Sequence, residues 1–198
     1  MDWTAIVPFN FGRPCKTRLA PLLSEEERAI LALAMARHVV AVLAATPGID
    51  AIRLVAPADP ALVPATWVAD RGRGLNAEMD AARDAVAPMP VLFLHADLPL
   101  LGGGEVRALL DAAEVAGAAI APDGQGLGTN AIALADGHVF RAAFGTDSLR
   151  AHIRLLPHAT RVERDGLSCD IDDAASLNHA LGKGFVLPFA SHRIAPPI

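Results

Sequence analysis

Hydrophobic positions along this chain alternate between short unbroken runs and longer stretches with helical spacing. Thr4-Ala5-Ile6-Val7-Pro8 is an apolar run that stops at Pro8, the pattern of a buried strand. Ser24 begins a helix, because its hydroxyl can accept from early backbone amides and Glu27, three residues on, completes a capping box. Pro47-Gly48 stops that helix near Thr46. Further strands are predicted over Ala51 to Ala56, Thr66 to Val68, Val91 to His95, Ala118 to Ala121, Ala131 to Leu134, Thr160 to Glu163 and Cys169 to Ile171. Helices are predicted from an Asn76 cap to Val86, from Glu105 to Ala116, from Thr146 or Asp147 to near Pro157, and from an Asp173 cap to Leu181. Pro57 to Pro64 is a loop with room for one helical turn, and the tail from Gly182 is surface chain. Strands alternating with helices predict an α/β fold with a mostly parallel, doubly wound sheet. Ligands of such sheets sit beyond the carboxyl ends of the strands. That rule selects the loops after Pro8, His95, Pro122 and Ile171.

Composition narrows the class. The chain has 198 residues, 53% of them hydrophobic and 20% charged, which suits one domain with a full core and excludes a disordered or coiled-coil chain. The formal net charge of -5 argues against a nucleic-acid partner, so an anionic ligand would have to be held by local cations or backbone amides. Two distant cysteines, Cys15 and Cys169, suit a reducing compartment. Met1-Asp2-Trp3-Thr4 has no basic segment of a signal peptide, and Arg37 and His38 interrupt the apolar stretch from Ala29 to Ala45. A cytoplasmic protein without membrane contact is expected. The apolar helix from Ser24 would pack on the sheet and makes a homodimer possible.

Several loops carry candidate chemistry. Gly12-Arg13-Pro14-Cys15-Lys16-Thr17-Arg18 concentrates three cations after the first strand of an acidic protein, as phosphate binding requires. It is not a Walker loop, and alone it is equally a solvated basic loop. Asp97 in His95-Ala96-Asp97-Leu98-Pro99 is an acid delivered by a fully apolar strand; a turn acid bonding nearby amides is the simpler alternative, but a Mg²⁺ ligand explains the strand better. In Cys169-Asp170-Ile171-Asp172-Asp173, alternation puts Asp170 and Asp172 on one face, where like charges need a cation between them, while one of these acids caps a helix. The glycines of Asp123 to Asn130 allow amides to approach an anion, or form a hairpin turn. Phe144-Gly145-Thr146-Asp147-Ser148 opens a helix whose free amides suit an anion. Arg71 to Asn76 is a basic turn that could hold ribose or base.

Taken in order, the chain resembles the guanylyltransferases of coenzyme F420 biosynthesis, within the molybdenum-cofactor guanylyltransferase-like nucleotidyltransferases. The matching residues are Lys16-Thr17-Arg18-Leu19-Ala20-Pro21, Gly74-Leu75-Asn76, Ala96-Asp97-Leu98-Pro99, Ala121-Pro122-Asp123, Gly128-Thr129-Asn130-Ala131, Phe144-Gly145 with Ser148, and Asp170-Ile171-Asp172. The resemblance implies a Rossmann-like three-layer sandwich of the nucleotide-diphospho-sugar transferase type. It implies that GTP and a small phosphorylated carboxylic acid (phosphoenolpyruvate, 2-phospho-L-lactate or 3-phospho-D-glycerate) react with release of pyrophosphate. It further implies that Lys16 and Arg18 face the triphosphate and that Gly74, Leu75 and Asn76 bind the nucleoside of GTP. Thr129, Gly145 and Ser148 would bind the acid, and Asp97 with Asp170 or Asp172 would hold Mg²⁺. The family commonly has lysine where this chain has Asn10, and a neutral polar residue where it has Asp80.

A phosphate oxygen is already a competent nucleophile, so this reaction needs alignment and charge neutralisation rather than a general base. The lack of an evident Ser/His/Asp or Cys/His set agrees with that. Two alternatives compete. A molybdenum cofactor guanylyl- or cytidylyltransferase would open with a Leu-Ala-Gly-Gly type loop, where this chain has Val7-Pro8-Phe9-Asn10. A non-catalytic nucleotide-binding regulatory domain would have no need of two acidic clusters.

Overall fold

The structure is a computed structural model, and it describes residues 1–135 and 140–190. Seven strands form one sheet: β1 (Trp3–Pro8), β2 (Ile49–Ala56), β3 (Thr66–Ala69), β4 (Val91–Leu94), β5 (Ala118–Pro122), β6 (Thr129–Leu134) and β7 (Thr160–Arg161). Their order is β3-β2-β1-β4-β6-β5-β7. Every pairing is parallel except β4 with β6 and β5 with β6, so β6 alone runs against the rest. The sheet is thus α/β and mostly parallel, as expected.

The unbroken apolar runs have a simple cause: both faces of the sheet are covered. Trp3, Ala5 and Val7 of β1, with Leu92 and Leu94 of β4, belong to one core, together with Val39 and Leu43 of α1 (Glu25–Ala45) and Val106 and Leu110 of α3 (Gly103–Ala116). Ile6, Val91 and Phe93 belong to the other, with Met79 of α2 (Leu75–Asp84) and Leu149 of α4 (Ser148–Leu155). Neighbouring residues of a strand therefore serve opposite layers. A third, smaller core joins Leu19, Leu31 and Met35 to Ile171 and to Leu177 of α6 (Ala174–Gly182). The predicted caps of α1 and α6 are present: Ser24 pairs with Glu27, and Asp173 with Ser176, in reciprocal capping boxes. Helix α1 is long and apolar enough to span a membrane by composition, but here it packs on β2 and α3.

Three expectations need correction, and the glycine loop takes the second of its two readings. Cys169 to Ile171 is not a strand: a short helix, α5 (Asp165–Ser168), precedes it, and the segment is tied to the β4 end by the Ile171 amide donating to the Asp97 carbonyl at 3.2 Å. Helix α2 is capped by Gly74 rather than Asn76. The 57–64 loop contains no helical turn. The glycine loop is a hairpin turn between β5 and β6, and the anion its amides meet is its own Asp123. The Asp123 carboxylate accepts from Gln125, Leu127 and Gly128 at 3.2, 2.9 and 2.8 Å. A side chain at Gly128 would begin 2.5 Å from that carboxylate and would have to displace it. Of the predicted surface tail, Phe185, Leu187 and Phe189 pack partly against the third core, and residues 191–198 lie outside the described residues.

Candidate active site

β1 and β4 are neighbours whose onward connections leave in opposite directions, which makes their carboxyl ends the switch point of the sheet. A cleft of about 580 Å³ opens there, lined by residues that include Asn10, Lys16, Gly74, Leu75, Asp97 and Asp172. Chain reversal brings these distant segments together. The loop after β1 carries Lys16, the end of β4 delivers Asp97, and the Ile171–Asp97 backbone bond draws in the second acidic cluster.

The centre of the cleft is an ionic triad. The Lys16 ammonium bridges Oδ2 of Asp97 and Oδ1 of Asp172, the latter at 2.8 Å. Lys16 has φ 51°, ψ 41°, a left-handed conformation that costs a non-glycine residue about 1 kcal/mol or more. Burial works against the charged form of Lys16, but the Asp97 and Asp172 charges outweigh it and hold the ammonium above its usual range. Burial likewise opposes the charge of Asp97, and Lys16, with a smaller contribution from His95, outweighs it and holds the carboxyl below its usual range. Oδ1 of Asp97 is buried without a hydrogen-bond partner among the described residues, as is Nε2 of His95. A buried carboxylate oxygen is costly to leave unpaired, so Asp97 has capacity for a further cation.

Asp170 does something different from Asp172. Its Oδ1 accepts from Nδ2 of Asn130 at 3.0 Å, and that amide also donates to the Leu167 carbonyl. Burial raises its pKa, Asn130 works against that, and the charges of Asp97 and Asp172 add to the rise. The cation expected between the paired acids is thus present as Lys16, and it joins Asp172 to Asp97 rather than to Asp170. Among the described residues no three His, Cys, Asp or Glu side chains converge as a metal cage. The donors nonetheless suit a hard divalent cation, since they are carboxylates and one oxygen of Asp97 is free.

The end of the cleft lined by Gly74 and Leu75 holds a residue that sequence reasoning missed. Glu78, 4% exposed, accepts from the amides of Arg71 and Arg73 at 3.0 and 3.1 Å, and from Nε and an Nη of Arg73 at 3.1 and 2.7 Å. The Arg73 guanidinium and those amides hold its carboxyl down to about 2, despite burial. Glu78 therefore shapes the turn ahead of Gly74 and Leu75. Across the mouth, Arg13 pairs with Asp70 at 3.0 Å. Arg18 is exposed and does not line the cleft.

The remaining predicted residues gather beside the cleft rather than in its lining. Asn76 donates to the Phe144 carbonyl at 3.0 Å and accepts from the Phe144 amide at 2.7 Å. Asp80, one turn on, accepts from the Ala142 amide at 2.9 Å, which explains an acid at that position. Thr129 and Ser148 are each 2% exposed, while Gly145, with φ +132°, makes the exposed turn between Phe144 and α4. Because β6 runs antiparallel, Thr129 at its start lies at the same sheet edge as the carboxyl ends of its neighbours. The ring of Phe144 lies 5.4 Å from that of His95, which links this group to the cleft wall.

His152 is buried among these residues, and burial, reinforced by the neighbouring charge of His95, holds its pKa down to about 4 from 6.5. The unfolded chain then takes up a proton below about 6.5 while the folded one does not until about 4. Stability is full above that window, and up to about 3 kcal/mol is lost as pH falls through it. Denaturant titrations from about pH 7 to about pH 4 should show this decline, and it should be shallower in His152→Phe. Equal slopes in the two proteins would remove His152 as the source.

The profile of the guanylyl transferase CofC-like family matches residues 3–181. The phosphoenolpyruvate guanylyltransferase of Sphaerobacter thermophilus is 35% identical over 197 residues, 92% of this chain and 94% of that protein. That of Streptomyces coelicolor is 34% identical over 195 residues, covering 93% of this chain and 92% of its own. Among solved structures, a candidate nucleotide-diphospho-sugar transferase from Desulfovibrio desulfuricans G20 superposes with a TM-score of 0.72 at 18% identity, over 98% of this chain and 93% of that one. A CMP:2-keto-3-deoxy-manno-octonic acid synthetase complexed with CTP gives 0.60 at 11% identity, over 91% and 97%. The two structural likenesses concern the fold, whereas the family match and the identity along nine-tenths of the chain concern descent: this chain belongs to the CofC-like guanylyl transferases.

Proposed function

We infer that the protein joins GMP from GTP to the phosphate of a small phosphorylated carboxylic acid, releasing pyrophosphate, as a step of coenzyme F420 biosynthesis. Phosphoenolpyruvate is the first acid to test, because the relatives just named carry that substrate in their names. The observation that carries the reading is the Lys16–Asp97–Asp172 triad at the sheet's switch point, with one Asp97 oxygen unpaired among the described residues.

In this reading a phosphate oxygen of the acid attacks the α-phosphorus of GTP, the new phosphoanhydride forms, and the bond to the β-phosphate breaks. No side chain needs to remove a proton, because the attacking oxygen is already anionic. Lys16 offsets charge on the phosphates, and the Glu78-built turn presents Gly74 and Leu75 to the nucleoside. Asn76 acts there indirectly, by holding Phe144. Thr129, Gly145 and Ser148 anchor the acid, and Arg18 contributes only long-range charge. Mg²⁺ would be held by Asp97 and Asp172, with Asp170 behind them, and would supply charge neutralisation at the transferred phosphate. Lys16 shares both carboxylates and would give up part of its hold on them in the metal-bound form. Free Cys15 and Cys169 suit a cytoplasmic enzyme.

The test is to incubate the protein with GTP and Mg²⁺ and each of phosphoenolpyruvate, 2-phospho-L-lactate and 3-phospho-D-glycerate, following pyrophosphate and identifying the product by mass. One acid should give a guanosine diphosphate-linked product. Pyrophosphate release with none of them would overturn the reading.

A further inference from the structure

His152 is a buried titratable group that the reaction above leaves without a task. Both of its ring nitrogens are engaged. Nε2 lies 3.1 Å from the amide of Ala143, which can only donate, so Nε2 accepts and carries no hydrogen. The ring hydrogen therefore sits on Nδ1, 2.9 Å from Oγ1 of Thr129, and Thr129 accepts it. With its oxygen receiving that bond, the Thr129 hydroxyl has its own hydrogen left to give.

The other end of the link is equally defined. Ala142, Ala143 and Phe144 form an irregular segment immediately before Gly145. Their three consecutive amides donate to three side chains: Asp80 at 2.9 Å, His152 at 3.1 Å and Asn76 at 2.7 Å. Irregular backbone that is buried needs such partners, and here helices α2 and α4 supply them. The Phe144 ring packs edge-on against His152 at 4.9 Å. His152 is the member of this set that also reaches Thr129, at the start of β6.

We propose that His152 is a positioning residue of the acid subsite: it ties Thr129 to the 142–144 segment, sets the separation of Thr129 from the Gly145–Ser148 turn, and keeps the Thr129 hydroxyl a donor. The group that meets Thr129 is then a hydrogen-bond acceptor, a carboxylate or phosphate oxygen, rather than an alcohol. The proposal rests on the assignment of Thr129, Gly145 and Ser148 to the acid.

Two measurements test it. The ring ¹⁵N shifts of His152, assigned by their loss in His152→Asn, should show the Nδ1–H tautomer; an Nε2–H or doubly protonated ring at neutral pH would overturn the proposal. The second is kinetic. His152→Phe keeps an aromatic ring, somewhat larger than imidazole, and loses both bonds, while His152→Asn retains a donor in place of Nδ1. His152→Phe should raise the KM for phosphoenolpyruvate about tenfold, with the KM for GTP within about twofold, and His152→Asn should recover part of the loss. In a Thr129→Val background the His152→Phe change should add less than about threefold, because its partner is already gone. Equal effects on both substrates, or full additivity with Thr129→Val, would overturn the proposal. Should His152→Phe fail to fold, His152→Asn and its cycle with Thr129→Val give the same decision. Wild-type inactivity with every acid would overturn the functional reading and the subsite with it, whereas the tautomer is read without turnover.

Discussion

Asparagine in place of Asp97 should lower kcat with GTP and phosphoenolpyruvate by about 10³-fold or more, while the protein remains folded. Asp97 is the carboxylate in the turn just beyond β4, a fully buried strand. One of its oxygens binds Lys16 and the other is buried without a partner among the described residues. The substitution keeps the shape and removes the charge, so Lys16 retains Asp172 at 2.8 Å while the cation proposed above would lose the Asp97 carboxylate. Steady-state turnover at saturating Mg²⁺, with a thermal melt as the folding control, checks this. Near-normal activity in a folded variant would remove Asp97 from the reaction centre.

The second large effect is expected for Lys16→Ala. Charge-assisted bonds to phosphate are worth about 1.5–3 kcal/mol, so the KM for GTP should rise and kcat fall, by about 10- to 100-fold in kcat/KM. The same substitution leaves the charge of Asp97 unsupported. Its carboxyl is held low by Lys16 against burial, so without that cation its pKa must rise, and the acid limb of the pH–rate profile should move to higher pH. Arg18→Ala should change GTP kinetics much less, because Arg18 is exposed and lies outside the cleft lining. If Lys16→Ala and Arg18→Ala behaved alike, the ion triad would have no special place in the reaction.

The contrast between these two cations shows where sequence was informative. Lys16 and Arg18 are near neighbours in one basic loop, and nothing in that loop separates them. What separates them is the approach of Asp97 and Asp172, which are 81 and 156 positions from Lys16 along the chain. Asp97 itself was legible because an apolar strand that ends in an acid has a local signature. So were β1, β4 and the capping boxes of α1 and α6, each written within a few consecutive residues. The direction of β6 was not, since alternation and apolar content are the same for either direction. That direction turned the glycine loop into a hairpin and filled its amides with Asp123. Glu78 and His152 were also hidden. Each is a polar residue on a helix whose partners lie on turns or other strands, and a short window shows only an ordinary polar position. For Glu78 the pair of arginines just upstream, Arg71 and Arg73, was the available signal.

The central claim is that the bond made and broken lies at the α-phosphorus of GTP. Label distribution tests it most directly: GTP carrying ³³P at the α-position is incubated with the protein, Mg²⁺ and phosphoenolpyruvate, and the products are separated. The α-label should enter an organic product containing the acid, one for each pyrophosphate released. Label recovered as GDP with inorganic phosphate would place cleavage at the γ-phosphorus instead and rule out guanylyl transfer.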